Sequence, residues 1–414
     1  MREVPITDNP PSQLWNFIRL DQYKKPPEPA AQAVRGRFSK FVEQIHRKPV
    51  KEEPFKLEQH LRSAPSRLKD KAAPEPDWTE CATSLNSSLD EWLQNRQSET
   101  LLRVFLKVPY SGLTQALVIW AKQSNFRIIE APVPEQLIHG KGYDVSGQID
   151  NSGNLLVIPC LERFFLRHFN GLSMIRQLID SVLSCSCPCL IGCDSWAWAY
   201  LSKALGVDRL FPVPFVLEAF DQEKLQQWFC RLACGAGGDR LVFRQSNNGN
   251  YVLPLKAEHQ QEESADHASP TESSNFLIHL AAYSRGIAGI AWDIWRYSLR
   301  YGPDEERTDL ETDSLFKQTI WVDPWSQLTL PAVSDGVTHD ELLVLHCLMI
   351  HGELDARLLA NLLPMSDSDV MQAIMYLRSK GLIYQNKNRW YATAIGYPAV
   401  RRFLSNEGYL VDSI

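Results

Sequence analysis

The segment that most limits the fold is an apolar strand pattern followed by a short loop and an apolar helix. Residues 101–107 are typical of a buried strand, Gly112 and Thr114 follow in the loop, and residues 115–123 have the pattern of an apolar helix. Further strand patterns occur at residues 126–130, 154–159, 189–193 and 210–215. Strands that alternate with helices predict an α/β fold with a parallel sheet covered on both faces.

The loop after the first strand has part of a phosphate-binding pattern. A functional loop reads G-x-x-x-x-G-K-[ST], and its backbone N–H groups bind phosphate at a helix N-terminus. Gly112 and Thr114 fit that pattern, with Ser111 beside them, whereas Lys107 replaces the first glycine and Leu113 replaces the lysine. The lost lysine weakens phosphate binding by about 1.5–3 kcal/mol, so weak ATP or ADP binding stays open.

These features resemble AAA+ ATPases, in particular the branch that ends in a winged helix, over residues 85–400 or so. The resemblance implies a three-layer P-loop sheet and a helical lid. It also implies a Walker B strand at residues 154–162, whose acidic pair would fall near Pro159 and Cys160, with Glu162 displaced. Asp194 or Ser195 would be the polar sensor and Arg285 a second sensor. Ser111, Gly112, Thr114, Asp194 and Arg285 therefore form the predicted vestigial nucleotide site.

Two motif losses together predict a protein without catalytic residues or a resident cofactor or metal. Phosphoryl transfer needs the metal, the lysine and a water-positioning group at once. The leading interpretation is a non-catalytic adaptor or scaffold that assembles with itself or with a protein partner. A divergent nucleotide-gated ATPase remains an alternative, as does the absence of any P-loop fold, with residues 111–114 acting only as a helix cap.

Composition shifts divide the chain into six parts. We expect a basic disordered arm at residues 1–76, because residues 21–71 hold 13 lysines and arginines against 7 acidic residues. The P-loop-like domain is predicted at residues 77–255, with a hairpin near its end that turns on Asn248. The remaining parts are a polar insertion at 256–275, a helical lid at 276–302, an acidic linker and strand at 303–335, and a winged helix at 336–414.

The predicted winged helix leaves two kinds of partner open. Its three helices are expected at residues 339–351, 355–363 and 366–380, followed by a hairpin at 382–392. The third helix begins with Asp367 and Asp369, which repel phosphate, so protein interaction is favoured. Nucleic acid bound through the basic arm and the wing is the alternative. Arg163 and Arg167 are candidates for contact with a partner or a phosphate, or else lie on a solvated face.

The remaining composition sets the cellular context. The net charge of −6 argues against a general nucleic-acid or anionic-membrane binder, and no apolar run has the length of a membrane span. We therefore expect a cytoplasmic protein. The nine cysteines are expected to be reduced and to pack as small apolar side chains. A metal or redox role for Cys185, Cys187, Cys189 and Cys193 stays open.

Overall fold

The computed structural model describes residues 14–28, 61–94, 101–140, 142–149, 154–168, 170–237, 241–254, 274–302, 318–334 and 336–414. The predicted polar insertion and acidic linker lie largely outside these residues, as do residues 1–13 and 29–60 of the predicted arm. Among the described residues, no helix is both long and apolar enough to cross a membrane.

The first sheet has six strands. They are β1 (Phe17–Arg19), β3 (Leu102–Lys107), β4 (Arg127–Ile128), β5 (Leu156–Ile158), β6 (Cys189–Asp194) and β7 (Phe215–Leu217). Their order is β1-β7-β3-β6-β5-β4, with β1 antiparallel to β7 and the other neighbours parallel. The predicted parallel sheet is confirmed, and β3, which precedes the loop, lies near its centre.

The fifth predicted strand is displaced along the chain. Residues 207–210 are helical, and β7 begins only at Phe215. Pro212 and Pro214 lack the backbone N–H that a sheet ladder needs, so the strand starts after the second proline.

Helices connect the strands of this sheet. They are α1 (Ser66–Ala72), α2 (Thr79–Gln94), α3 (Leu113–Gln123), α4 (Pro134–His139), α5 (Val145–Gln148), α6 (Ser173–Ser184), α7 (Ser195–Leu205), α8 (Val207–Leu210) and α9 (Gln222–Gly235). The α2 helix buries Leu85, Leu89 and Trp92, the face that its helical spacing predicts. The α2 helix packs on α3, and Asn86 of α2 accepts a hydrogen bond at 3.0 Å from the indole N–H of Trp120 on α3.

A second sheet was not predicted. Its strands are β2 (Arg62–Ser63), β8 (Leu241–Gln245), β9 (Leu299–Tyr301) and β10 (Gln318–Val322). Their order in the sheet is β2-β9-β10-β8. The predicted hairpin around Asn248 is short: it has one bridge, between Arg244 and Tyr251, and backbone hydrogen bonds from Gln245 to Asn250 and from Val252 to Phe243. The β8 strand also pairs along its length with β10, in parallel.

The segment predicted as a helical lid contributes to this second sheet. Its helices are α10 (Phe276–Tyr283) and α11 (Ala288–Ser298), and β9 follows directly. Trp295 is fully buried between the rings of Phe229 and Phe243, so the segment shares a core with the rest of the chain.

The prediction of a disordered arm at residues 1–76 is wrong for its described parts. Leu14 and Trp15 are buried, and the Trp15 ring packs against Phe220 at 4.9 Å between ring centroids. The strands β1 and β2 each close one edge of a sheet. The missed contacts are made with residues that lie about 200 positions later in the sequence, and no local pattern carries that information.

The C-terminal unit has three helices followed by a hairpin, which is the order of elements that the sequence predicts; that this unit is a winged helix stays a prediction. It comprises α12 (His339–His351), α13 (Ala356–Leu362), α14 (Asp367–Ser379), the hairpin β11 (Ile383–Asn386) and β12 (Arg389–Ala392), and α15 (Tyr397–Asn406). A capping box between Thr338 and Glu341 begins α12 at the predicted residue. The amphipathic α15 helix was not predicted.

Candidate functional site

The loop between β3 and α3 turns through two left-handed residues. Gly112 precedes α3 with φ of 76°, and Tyr110 is also left-handed, with φ of 66°. A Cβ atom at Gly112 would overlap the Trp78 ring, so this position requires glycine both for its conformation and for the approach of the tryptophan. The Trp78 ring therefore packs directly against the loop.

The lysine at the start of the loop is buried and paired inside the protein. The Lys107 side chain is 4% exposed, and its Nζ lies 2.6 Å from Oε1 of Glu162 and 3.2 Å from the Cys160 sulfur. Burial acts to lower the pKa of Lys107, but the Glu162 carboxylate more than offsets it and holds that pKa above its ordinary value. The lysine is therefore a charged group whose counter-ion is the Glu162 carboxylate.

The other oxygen of Glu162 is also used. The backbone N–H of Asp194 donates to Oε2 of Glu162 at 3.0 Å. Asp194 is the N-cap of α7 and accepts from the Trp196 N–H at 2.9 Å. Burial raises the pKa of Asp194 well above its usual range, and the neighbouring Glu162 carboxylate raises it further. The carboxyl groups of Glu162 and Asp194 are thus both engaged in structural contacts.

A cavity of about 420 Å³ lies over the loop. Its lining side chains include five carboxyl groups and two cations. The acidic residues are Glu75, Glu162, Asp194, Asp293 and Glu353, and the cations are Lys107 and Arg163. Burial raises the pKa of Asp293 to about 6, which leaves it largely ionised at neutral pH. Even with Asp194 protonated, carboxylates outnumber cations among the side chains that line this cavity.

The C-terminal unit covers one side of this cavity. The Tyr110 hydroxyl donates to the Ala392 carbonyl oxygen at 2.5 Å, which joins the loop to β12. Glu353 pairs with Arg163 at 2.7 Å and with Arg389 at 2.6 Å, and it accepts from the Tyr391 hydroxyl. Arg163, a candidate for partner contact, is therefore held by the protein itself.

Arg167 and two histidines of α12 extend the same contact. The backbone N–H of Arg167 donates to Nε2 of His351 at 3.3 Å, and its guanidinium lies 3.3 Å from Nδ1 of His346. Burial, followed by the charge of Arg167, lowers the pKa of His351 to about 3. Within the described residues, its buried Nδ1 has no hydrogen-bond partner. His351 is therefore a neutral histidine at the interface between the two units.

This histidine gives a pH-dependent stability. Because the folded pKa is about 3 and the unfolded value is 6.5, unfolding takes up a proton below pH 6.5. The contribution of His351 to the free energy of unfolding is constant above pH 6.5 and decreases as the pH falls toward 3. At pH 5 the loss is about 2 kcal/mol. Urea unfolding at pH 7 and pH 5 should show a smaller difference for His351→Gln than for the wild type. The exposed His139→Gln serves as control, and equal pH dependence in all three proteins would contradict this assignment.

The residues of the predicted nucleotide site do not all lie at the same cavity. Ser111, Gly112, Thr114 and Asp194 line the cavity over the loop. Arg285 does not line it: this residue lies in the turn after α10, with φ of 58°, and its guanidinium donates to the Ile414 carbonyl oxygen. The prediction that Arg285 joins the nucleotide site is corrected, since the turn directs it to the C-terminal segment.

The cysteines depart in part from the expected reduced state. Cys185 and Cys187 form a disulfide, and Cys189 places a third sulfur within 4.8 Å of both. The other seven cysteines are free thiols. Cys189 and Cys193 are buried in β6, as the strand pattern predicts.

Sequence reasoning missed several residues that decide the chemistry of the site. The loop motif marks Lys107 only as the residue that replaces the first glycine. In the structure, Lys107 lies opposite Asp194 in the register of β3 and β6. The sequence does contain a signal for this ion pair. A lysine ends one apolar strand, and a glutamate follows another strand of the same parallel sheet. Asp293 and Glu353 reach the cavity only through tertiary packing.

Comparison with known proteins gives similarity of architecture alone. No protein-family model matches the chain, and no curated protein matches it. The Thermotoga maritima RuvB Holliday junction branch migration motor is 15% identical, with a TM-score of 0.33, and the match covers 80% of this chain and 95% of that one. The Aeropyrum pernix ORC2 protein is 14% identical, with a TM-score of 0.33, and covers 79% and 82%. Cdc6p from Pyrobaculum aerophilum is 13% identical, with a TM-score of 0.29, and covers 81% and 95%.

At these identities and TM-scores the matches assign neither a family nor a role to this chain. The structure itself is an α/β fold, with a mainly parallel six-stranded sheet and a loop directly after its strand β3.

Proposed function

We propose that this protein is a non-catalytic AAA+-like adaptor or scaffold that binds nucleotide weakly or not at all. The observation that carries the proposal is the buried pair of Lys107 and Glu162. Each group is the counter-ion of the other, with 2.6 Å between Nζ of Lys107 and Oε1 of Glu162. Binding phosphate would need the free lysine, and binding a metal ion would need the free carboxylate. Using either group for chemistry would leave the other buried and unpaired.

The position of the usual phosphate-binding lysine supports the same proposal. Leu113 holds that position and is 1% exposed, as part of the core under α3. The loop thus offers backbone N–H groups and the Thr114 hydroxyl, but no cation, to a β- or γ-phosphate. A missing charged hydrogen bond weakens binding by about 10- to 150-fold.

The C-terminal unit offers a surface for a protein partner. Met371 and Met375 lie one turn apart on α14 and are 38% and 50% exposed. The same helix begins with Asp367 and Asp369, which disfavour a phosphate backbone at its N-terminus. Exposed methionines adapt to varied apolar surfaces, which suits an adaptor.

Nucleotide turnover tests the catalytic side of the proposal. We expect ATP hydrolysis with Mg²⁺ to stay at the level of buffer, and calorimetry to detect ATP or ADP only weakly, because Lys107 and Glu162 are already paired. Thr114→Ala tests the loop, and the exposed Thr83→Ala on α2 is the matched control. Robust turnover that Thr114→Ala abolishes and Thr83→Ala preserves would make the protein an ATPase.

Partner capture tests the adaptor side of the same proposal. The wild-type protein, the Met371→Ser/Met375→Ser variant and the control Leu183→Ser are compared by pull-down and by light scattering. Leu183 is an exposed apolar residue of α6, away from the C-terminal unit. We expect partner binding or self-association to weaken in the double variant alone. Association that instead falls steeply with salt and requires nucleic acid would favour the nucleic-acid alternative.

A further inference from the structure

A second cavity, away from the loop, has more cations than carboxylates among its lining residues. Its volume is about 340 Å³, and it lies between the N-terminal segment near Lys25, the turn that holds Arg285, and α15. Lys25, Arg285, Arg401 and Arg402 line it, together with one carboxylate, that of Glu28. Asp412 is the counter-ion beneath Arg401, so four cationic and two acidic side chains leave an excess of two positive charges.

Two of the guanidinium groups are fixed in place by the protein. Nε and Nη2 of Arg401 donate to the side chain and the carbonyl oxygen of Asp412, at 2.7 Å and 2.6 Å. Nη2 of Arg285 donates to the carbonyl oxygen of Ile414. Within the described residues, these contacts leave Nη1 of each arginine free to donate into the cavity that both side chains line. The donors are thus held in position before a ligand arrives.

The other two cations have no fixed counter-ion. Among the described residues, neither Lys25 nor Arg402 has a carboxylate within ion-pair distance. Burial lowers the pKa of Lys25, and the nearby charges of Arg285 and Arg401 lower it further. Burial and the charge of Arg401 likewise lower the pKa of Arg285. The cations therefore repel one another, and an anion between them would relieve that repulsion.

We propose that this cavity binds a phosphate dianion, either free or as the phosphate group of a small phosphomonoester. The cationic side chains at this cavity outnumber the acidic ones, which favours an anion. Arginine donors form strong, directional hydrogen bonds to phosphate oxygens. The volume lies at the lower end of the range of small-molecule pockets, roughly 300–1,000 Å³. This site is separate from the carboxylate-lined cavity over the loop, and the inference does not rest on the proposed adaptor function.

Calorimetry on the full chain tests the site with three probes at constant ionic strength. The probes are inorganic phosphate, glycerol 3-phosphate and a single-stranded oligonucleotide. We expect one or both of the small probes to bind, and the tighter of the two identifies the natural source of the phosphate. Arg402→Gln and Lys25→Gln should each lower that affinity about tenfold. Both side chains are exposed, so these variants should fold, which circular dichroism checks.

The matched control is Arg378→Gln, an exposed arginine of the same C-terminal unit that does not line the cavity. Its affinity for the small probes should equal that of the wild type. Three results would overturn the inference: no binding of either small probe at millimolar concentration, equal affinity in the wild type and in both cavity variants, or binding of the oligonucleotide alone.

Discussion

Lys107→Met is expected to lower the free energy of unfolding by about 3–5 kcal/mol, because it removes one partner of a buried ion pair. The Glu162 carboxylate would stay beside the Asp194 carboxyl group in the interior without the Lys107 ammonium that now lies 2.6 Å away. Methionine keeps most of the length of the lysine side chain, so the loss reports charge rather than volume. Urea unfolding at pH 7 gives the difference directly.

Two further variants separate this role from a catalytic one. Lys107→Met/Glu162→Gln removes both charges and should regain most of the lost stability, whereas the exposed Lys122→Met should change it little. A loss below about 1 kcal/mol in Lys107→Met, together with a large fall in nucleotide affinity, would mean that the lysine serves a bound nucleotide instead.

Asp412→Ala is the second change with a large expected effect. Asp412 is 3% exposed and accepts from the Ser195 hydroxyl at 2.6 Å and from Nε of Arg401 at 2.7 Å. Its loss leaves the Arg401 guanidinium buried without a counter-charge, which typically lowers the free energy of unfolding by about 3–5 kcal/mol. Thermal and urea unfolding measure this loss.

The same variant should loosen the C-terminal unit from the body. Ser195 begins α7 of the body, while Asp412 and Arg401 belong to the C-terminal segment. Limited proteolysis should therefore cut near the start of α12 faster in Asp412→Ala than in the exposed control Asp180→Ala of α6. Unchanged cleavage and unchanged stability would show that the contact with Ser195 does not join the two units.

The elements that the sequence predicts well are those whose pattern is local. The buried strands β3 and β6 have six residues each and are mostly apolar, with charged residues only at Arg103, Lys107 and Asp194. The α12 helix is marked by its capping box. The strands β1 and β2 have three and two residues, and their partners lie about half the length of the chain away in the sequence. Their pairing depends on tertiary contacts that no short window of sequence contains.

The residues of the candidate site are likewise predicted well only where a local motif fixes their positions. Gly112 and Thr114 were identified because a loop motif fixes their spacing, and both line the cavity. Lys107 was misjudged, since its role depends on the register between β3 and β6 and on the approach of Glu162. Arg285 was placed by analogy with a helical lid, and the left-handed turn that redirects it leaves no mark in the residue pattern.

The two short N-terminal strands also bear on the order in which the chain folds during synthesis. Phe17–Arg19 is made about 200 residues before its partner Phe215–Leu217, and Arg62–Ser63 is made about 240 residues before its partners Arg300 and Tyr301. Both short strands therefore stay unpaired until their partners have been translated. Unpaired strand edges attract other chains, and at about 5–20 residues per second a delay of about 200 residues lasts roughly 10–40 s. During that time the backbone N–H and C=O groups of these two strands are open to pairing with another chain.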